Sequence, residues 1–140
     1  MVHALREIGR VLVAGGTLID LRPLADRWFV EVLSSGGKQE AGRVTDLPQG
    51  LADDAAANGA MAEAERAGLF RRDREELFAF YYSWDSPKEM QEYMDQEWAD
   101  FCAVDEAEWK QIRSRWAVSD ADSRVGVRLK MLITRWLKAH

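Results

Sequence analysis

The sequence predicts an α/β fold, and three features carry that expectation. A stretch with helical spacing of apolar residues ends in Gly15-Gly16 and runs directly into a short apolar strand. An alanine-rich helical stretch ends in Gly68 and runs into an aromatic strand. A Gly-rich hairpin signal and two helical segments fill the spaces between.

The elements follow in order. Val2 to Leu12 reads as a helix, with Ala4, Leu5, Ile8, Val11 and Leu12 at helical spacing and Arg6, Glu7 and Arg10 opposite. It begins almost at Met1 with no capping residue ahead of it, so it looks cut rather than begun. Thr17 to Leu21 reads as a buried strand of a parallel sheet, ended by Arg22-Pro23. Residues 1-23 thus form a helix and a central strand. Trp28 to Leu33 and Ala41 to Leu47 read as the strands of a hairpin, 28-47, around Ser34-Ser35-Gly36-Gly37. Pro48 closes that unit, and Leu51 to Gly68 is helical.

Leu69 to Trp84 opens with charge and finishes as Leu-Phe-Ala-Phe-Tyr-Tyr-Ser-Trp, an aromatic density that favours a strand. Ser86 is a good N-cap, with Pro87 at the first helical position and Glu89 three residues on. Pro87 to Phe101 and Asp105 to Trp116 are then helices and make 87-117 a helical insertion. The last segment, 124-137, fits two periods. Val125, Val127, Leu129, Met131 and Ile133 alternate as in a strand, whereas Val125, Leu129, Leu132, Ile133 and Trp136 fit a helix.

Composition narrows the function. The chain has 140 residues, enough for a single domain with a real core, and 47% are hydrophobic. Six tryptophans imply an aromatic-rich core or pocket. A net charge of −5 leaves no basic excess for phosphate binding, which argues against nucleic acid. No apolar run reaches membrane-spanning length. The single cysteine, Cys102, permits no internal disulfide, and the N-terminus has no signal-like pattern, so the expected setting is the reducing cytoplasm. Charge is uneven: residues 85–108 are acidic and the tail from Arg113 to Lys138 is basic, as expected of two solvated faces that partly neutralise each other.

Arg6-Glu7-Ile8-Gly9-Arg10-Val11-Leu12-Val13-Ala14-Gly15-Gly16-Thr17-Leu18-Ile19-Asp20 resembles a stretch of the class I S-adenosylmethionine-dependent methyltransferases, where a helix of this pattern enters the fifth strand of a Rossmann-like sheet. Val13-Ala14 stands where Lys-Pro is common in that family. Ala64 to Phe70 resembles the end of the helix before the sixth strand, Phe78 to Ser86 the aromatic end of that strand, and the basic tail the final antiparallel strand. The resemblance implies the C-terminal half of the fold, a partial domain with an added hairpin and a helical insertion, which would look α+β when truncated. It favours a strand for 124-137.

The family's cofactor sits on a Gly-rich turn after the first strand, with an acidic residue ending the second. Neither is present, so no cofactor-binding residue is assigned and S-adenosylmethionine is not expected to bind this chain alone. Val11 to Thr17 admits a second reading as a phosphate-binding glycine turn, but the chain after Gly16 is strand-like and has no third glycine.

No catalytic residue is assigned: alignment and desolvation can supply much of the rate of methyl transfer, and Asp20 is a candidate base by position alone. Candidate substrate residues are Asp20 and Arg22, at the C-terminal end of a strand where open α/β sheets bind ligands, and Tyr81, Tyr82 and Trp84, which suit flat or cationic acceptors. The alternatives are a carboxylate satisfying loop amides, a structural salt bridge and core packing. His3 and His140 have no partner at metal-ligand spacing, so no metal is expected, and Cys102 reads as a small buried hydrophobe. Two functions follow: a methyltransferase segment contributing the substrate side, inactive alone, or a non-enzymatic ligand- or partner-binding module derived from that fold. A truncated sheet would expose the edge of Thr17 to Leu21, so self-association or a missing N-terminal segment is expected.

Overall fold

The computed structural model describes residues Met1–His140. The chain is mixed α/β and its strands pair antiparallel. It divides into two compact units: unit 1 holds Met1–Leu24, Ala52–Phe78 and Met131–His140, and unit 2 holds Ala25–Leu51 and Ala79–Lys130.

Unit 1 opens with α1 (Val2–Val11), followed by a turn and β1 (Thr17–Pro23). The turn needs glycine, because Gly15 has φ +73°. Its backbone is tied to the chain end: Gly15 N–H donates to the Lys138 carbonyl and Lys138 N–H to Gly16. The Lys138 ammonium also donates to the Leu12 carbonyl, satisfying a terminal acceptor of α1. Most of α2 (Pro48–Arg66) follows, and it ends in a Schellman motif. Gly68, at φ +69°, donates to Glu65 and Leu69 N–H donates to Ala64. Leu69 then packs in the core, and the chain turns into β5 (Phe70–Trp84).

β7 (Arg124–Lys138) pairs antiparallel with β1, from Thr17↔Leu137 to Pro23↔Met131. It also pairs with β5, where Thr134 meets Glu75 and Arg135 meets Asp73. Leu5, Ala60, Met61, Ala64, Phe70 and Trp136 form the core of this unit, joined by Val2, Ile8, Leu12, Leu18 and Leu69. The helical spacing of Leu5, Ile8 and Leu12 brings that stripe of α1 to the core. Full burial of a side chain such as Leu5 is worth about 1.5–3 kcal/mol.

The expectation for β1 is corrected here. It is not a buried strand of a parallel sheet. Its neighbour β7 is antiparallel, and only Leu18, Asp20 and Arg22 are half-buried, while Ile19 and Leu21 face outward. A strand covered on one face reads as alternation, and a five-residue run is too short to separate the two cases.

Unit 2 contains the hairpin β2 (Phe29–Ser34) and β3 (Gly37–Arg43), paired from Ser34↔Gly37 to Phe29↔Arg43 with a register shift at Val30/Glu31. The second strand therefore starts at Gly37, not Ala41. The turn is only Ser35-Gly36, and Gly37, at φ +122°, already pairs. Beyond Arg43 the chain leaves β2 and makes β4 (Thr45–Asp46), which pairs with β6 (Cys102–Ala103). β2 also pairs antiparallel with the first half of β7, from Phe29↔Arg128 to Leu33↔Arg124.

Pro48, expected to close the hairpin unit, instead begins α2. Proline is preorganised for a first helical turn, where its missing N–H costs nothing. The expected helix from Pro87 to Phe101 is α3 (Pro87–Tyr93) followed by a π-helical turn (Met94–Trp98), which is complete before Phe101. Ser86 caps it by accepting from Glu89 N–H at 3.2 Å, and Glu89 accepts from Asp85 N–H at 3.1 Å. α4 (Glu106–Ala117) buries Trp109 and Ile112.

The tail is a strand throughout. In unit 2 its odd residues Val125, Val127 and Leu129 are buried, and in unit 1 its even residues Leu132, Thr134 and Trp136 are. That change of parity near Lys130-Met131 leaves apolar residues spaced as in a helix, which is why the sequence fitted both periods.

Candidate functional site

Asp20 and Arg22 lie two apart on the half-buried side of β1, so strand alternation brings them together. Arg22 Nε donates to both Asp20 carboxylate oxygens at 3.2 Å, and Arg22 Nη1 lies 3.7 Å from Asp54 Oδ1 on α2. The three side chains keep only 16%, 15% and 21% of their exposure, in the order Arg22, Asp20, Asp54. Nη1 is buried and makes no hydrogen bond. The trio carries a net charge of −1. Its electrostatics therefore favour a hydrogen-bond donor or a cation over an anion. Asp54 was not visible as a partner in the sequence, because it lies in an alanine-rich helix 32 positions beyond Arg22.

The Gly15-Gly16 turn does not form a phosphate cradle. Gly15 N–H is held by Lys138 and Gly16 N–H by the Val13 carbonyl at 2.9 Å, and the turn opens a strand instead of a helix. An anion site of that kind needs free amides at a helix start. The Gly15-Gly16 turn therefore has no free amide to offer a phosphate.

In unit 2, strand alternation separates Tyr81 from Tyr82 and Trp84. Tyr81 faces the hairpin, where the Lys38 ammonium donates to its hydroxyl at 3.1 Å and lies 5.4 Å from its ring centroid. Tyr82 and Trp84 join Tyr93 and Trp98 in a tetrad. All six centroid separations lie between 5.2 and 6.2 Å. Rings this close fill the space that a cation between them would need, and several meet edge to face, as aromatic quadrupoles prefer. The Tyr93 phenol is held above its ordinary value by desolvation and then by Tyr82 and Glu97. The partners Tyr93 and Trp98 sit on α3 and the π-helical turn, and no local pattern in the sequence ties them to β5.

A shallow polar cavity of about 270 Å³ lies between the hairpin turn and the segment joining α4 to β7. Ser34 Oγ donates to Asp120 at 3.0 Å and Ser35 N–H to Asp122 at 3.0 Å. The hydroxyl and then the amide of Ser35 hold the Asp122 carboxyl below its ordinary value. Neither aspartate was singled out from the sequence. Arg128 and Arg43 flank the ring of Phe29 at 5.0 and 5.3 Å, placed by their cross-strand positions on β7 and β3.

Cys102 is buried in β6, and desolvation, with Asp46 beside it, pushes its thiol up to about 12. No cluster of three or more His, Cys, Asp or Glu side chains is placed to hold a metal ion, and no helix is long and apolar enough to cross a membrane. The acidic and basic stretches do meet in places: Arg124 pairs with Asp85 at 2.9 Å and Arg113 with Glu106 at 2.8 Å. No family model, curated protein or solved structure matches the chain.

Proposed function

We infer that this chain is the substrate-side half of a class I S-adenosylmethionine-dependent methyltransferase fold, a transferase segment that is inactive alone. The observation that carries the reading is the path of the motif-bearing residues. Arg6 to Asp20 runs as helix, glycine turn and strand, and the tail strand lies antiparallel against that strand. The second motif supports it: α2 ends through Gly68 and delivers the chain into β5. When bound in such a fold, S-adenosylmethionine supplies an activated methyl group. This chain's residues would shape and desolvate the acceptor's side. Its small-molecule acceptor would meet Asp20, Arg22 and Asp54 at the end of β1.

Calorimetric titration with S-adenosylmethionine tests the reading. The chain alone gives no heat of binding. The chain joined to a cofactor-binding N-terminal half of that family binds. Tight binding by the chain alone overturns the reading.

One observation favours the second reading, a non-enzymatic module derived from the same fold. Asp20 and Arg22 are engaged with Asp54, and Tyr82 and Trp84 are packed in a ring cluster, so the candidate residues already serve the fold. Failure of the joined chain to bind would support the module.

A further inference from the structure

We propose that the polar cavity of unit 2 binds a calcium ion, an inference independent of the methyltransferase reading. The cavity lies where the hairpin turn meets the segment joining α4 to β7, and Ser34, Ser119, Asp120 and Ser123 bring side-chain oxygens to its lining. Ser123 is the informative one. It is only 8% exposed, and its hydroxyl has no hydrogen-bond partner in the chain. Buried polar groups are satisfied almost without exception, so this hydroxyl calls for a partner from outside the chain.

The charge of the surroundings decides which kind. Asp120 lines the cavity, and Asp122 holds the amide of Ser35, between the lining residues Ser34 and Gly36. Both carboxylates accept from neutral donors, the Ser34 hydroxyl and the Ser35 amide. Neither takes part in an ion pair. The nearest cations along the chain are engaged elsewhere, Lys38 at the Tyr81 hydroxyl and Arg124 at Asp85. Two uncompensated carboxylates disfavour an anion and favour a cation. Carboxylate and hydroxyl oxygens are hard donors, which suit calcium or magnesium and not a metal that seeks nitrogen or sulfur. Magnesium demands near-octahedral geometry, whereas calcium takes about six to eight oxygens in irregular arrangements. Oxygens drawn from a hairpin turn and a separate loop are of the irregular kind. Asp120 and Ser123 would be direct ligands, with Asp122 adding its charge and water completing the shell. Gly36 keeps the carboxylate open, since a Cβ there would lie 3.3 Å from Asp120 Oδ2 and 3.5 Å from Ser34 Oγ. With only two carboxylates the affinity falls at the weak end for calcium sites, a Kd on the order of 10⁻⁴–10⁻³ M.

Titration of the isotope-labelled full chain with calcium chloride, up to on the order of 10 mM and read by amide NMR shifts, tests the proposal. The expected result is saturable shifts centred on Ser34–Gly37 and Ser119–Ser123, with magnesium chloride at least about tenfold weaker. Asp120→Asn raises the dissociation constant at least about tenfold, because affinity follows ligand charge. That variant keeps an oxygen to accept from Ser34, and its own spectrum reports whether it folds. Ser123→Ala removes a hydroxyl that bonds nothing in the chain, so it folds irrespective of the change at Asp120, and it weakens calcium binding several-fold. No saturable shifts at these residues, an equal response to magnesium, or binding that neither substitution weakens overturns the proposal.

Discussion

Replacing Arg22 with methionine should destabilise the chain far more than loss of a surface charge would. Breaking an exposed ion pair costs about 0–1 kcal/mol, whereas removing one partner of a buried pair costs about 3–5 kcal/mol, because the other charge is stranded. Asp20 and Asp54 keep 15% and 21% of their exposure, so the buried figure applies with a discount for residual solvation. The expected loss is about 2–4 kcal/mol. Urea unfolding followed by circular dichroism reads it as a drop in midpoint of about 1–2 M, for a slope near 2 kcal/mol/M. Most of that cost is stranded charge and not lost attraction. The triple variant Asp20→Asn, Arg22→Met, Asp54→Asn should therefore recover more than half of the loss. A single-variant loss below about 0.5 kcal/mol, or a triple variant no more stable than the single, refutes the reasoning. A single-variant loss that small would leave Arg22 available to a ligand.

Two further predictions concern groups outside that trio. Cys102, buried with its thiol pushed up to about 12, should resist alkylation by iodoacetamide at pH 8 in the folded chain and react once urea unfolds it. Its raised value means that the neutral thiol is favoured by folding. That stability is present below the ordinary thiol value and fades as pH rises toward 12, so alkaline unfolding should accompany thiolate formation. Gly68→Ala forces a side chain into the left-handed region at φ +69° and should cost about 1 kcal/mol, seen as a lower thermal midpoint.

Much of the fold was legible because its signals are local. The glycine after α2 marks its Schellman end, Ser86-Pro87 marks the start of α3, and the aromatic run from Leu77 to Trp84 marks β5. The features that escaped depend on residues far apart in sequence. β4 and β6 are two residues each and exist only because Asp46 meets Cys102, which no local pattern encodes. The parallel setting expected of β1 failed for the same reason, since its neighbour is the far end of the chain. β7 was ambiguous because it changes the face it buries midway, which imitates a helical period. Of the candidate site, Asp20 and Arg22 stood out through their place at the end of a strand, but Asp54, which completes the trio, comes from another element.

Hydrogen exchange at the β1 amides tests most directly whether this chain supplies half of a larger sheet. β1 pairs with β7 on one side. In the chain alone, amides of Thr17–Leu21 that point toward β7 should exchange slowly and those that point away should exchange quickly. Joined to a cofactor-binding half, the fast set should become protected, as happens when a strand gains its second neighbour. Fast exchange that persists unchanged in the joined protein contradicts the account.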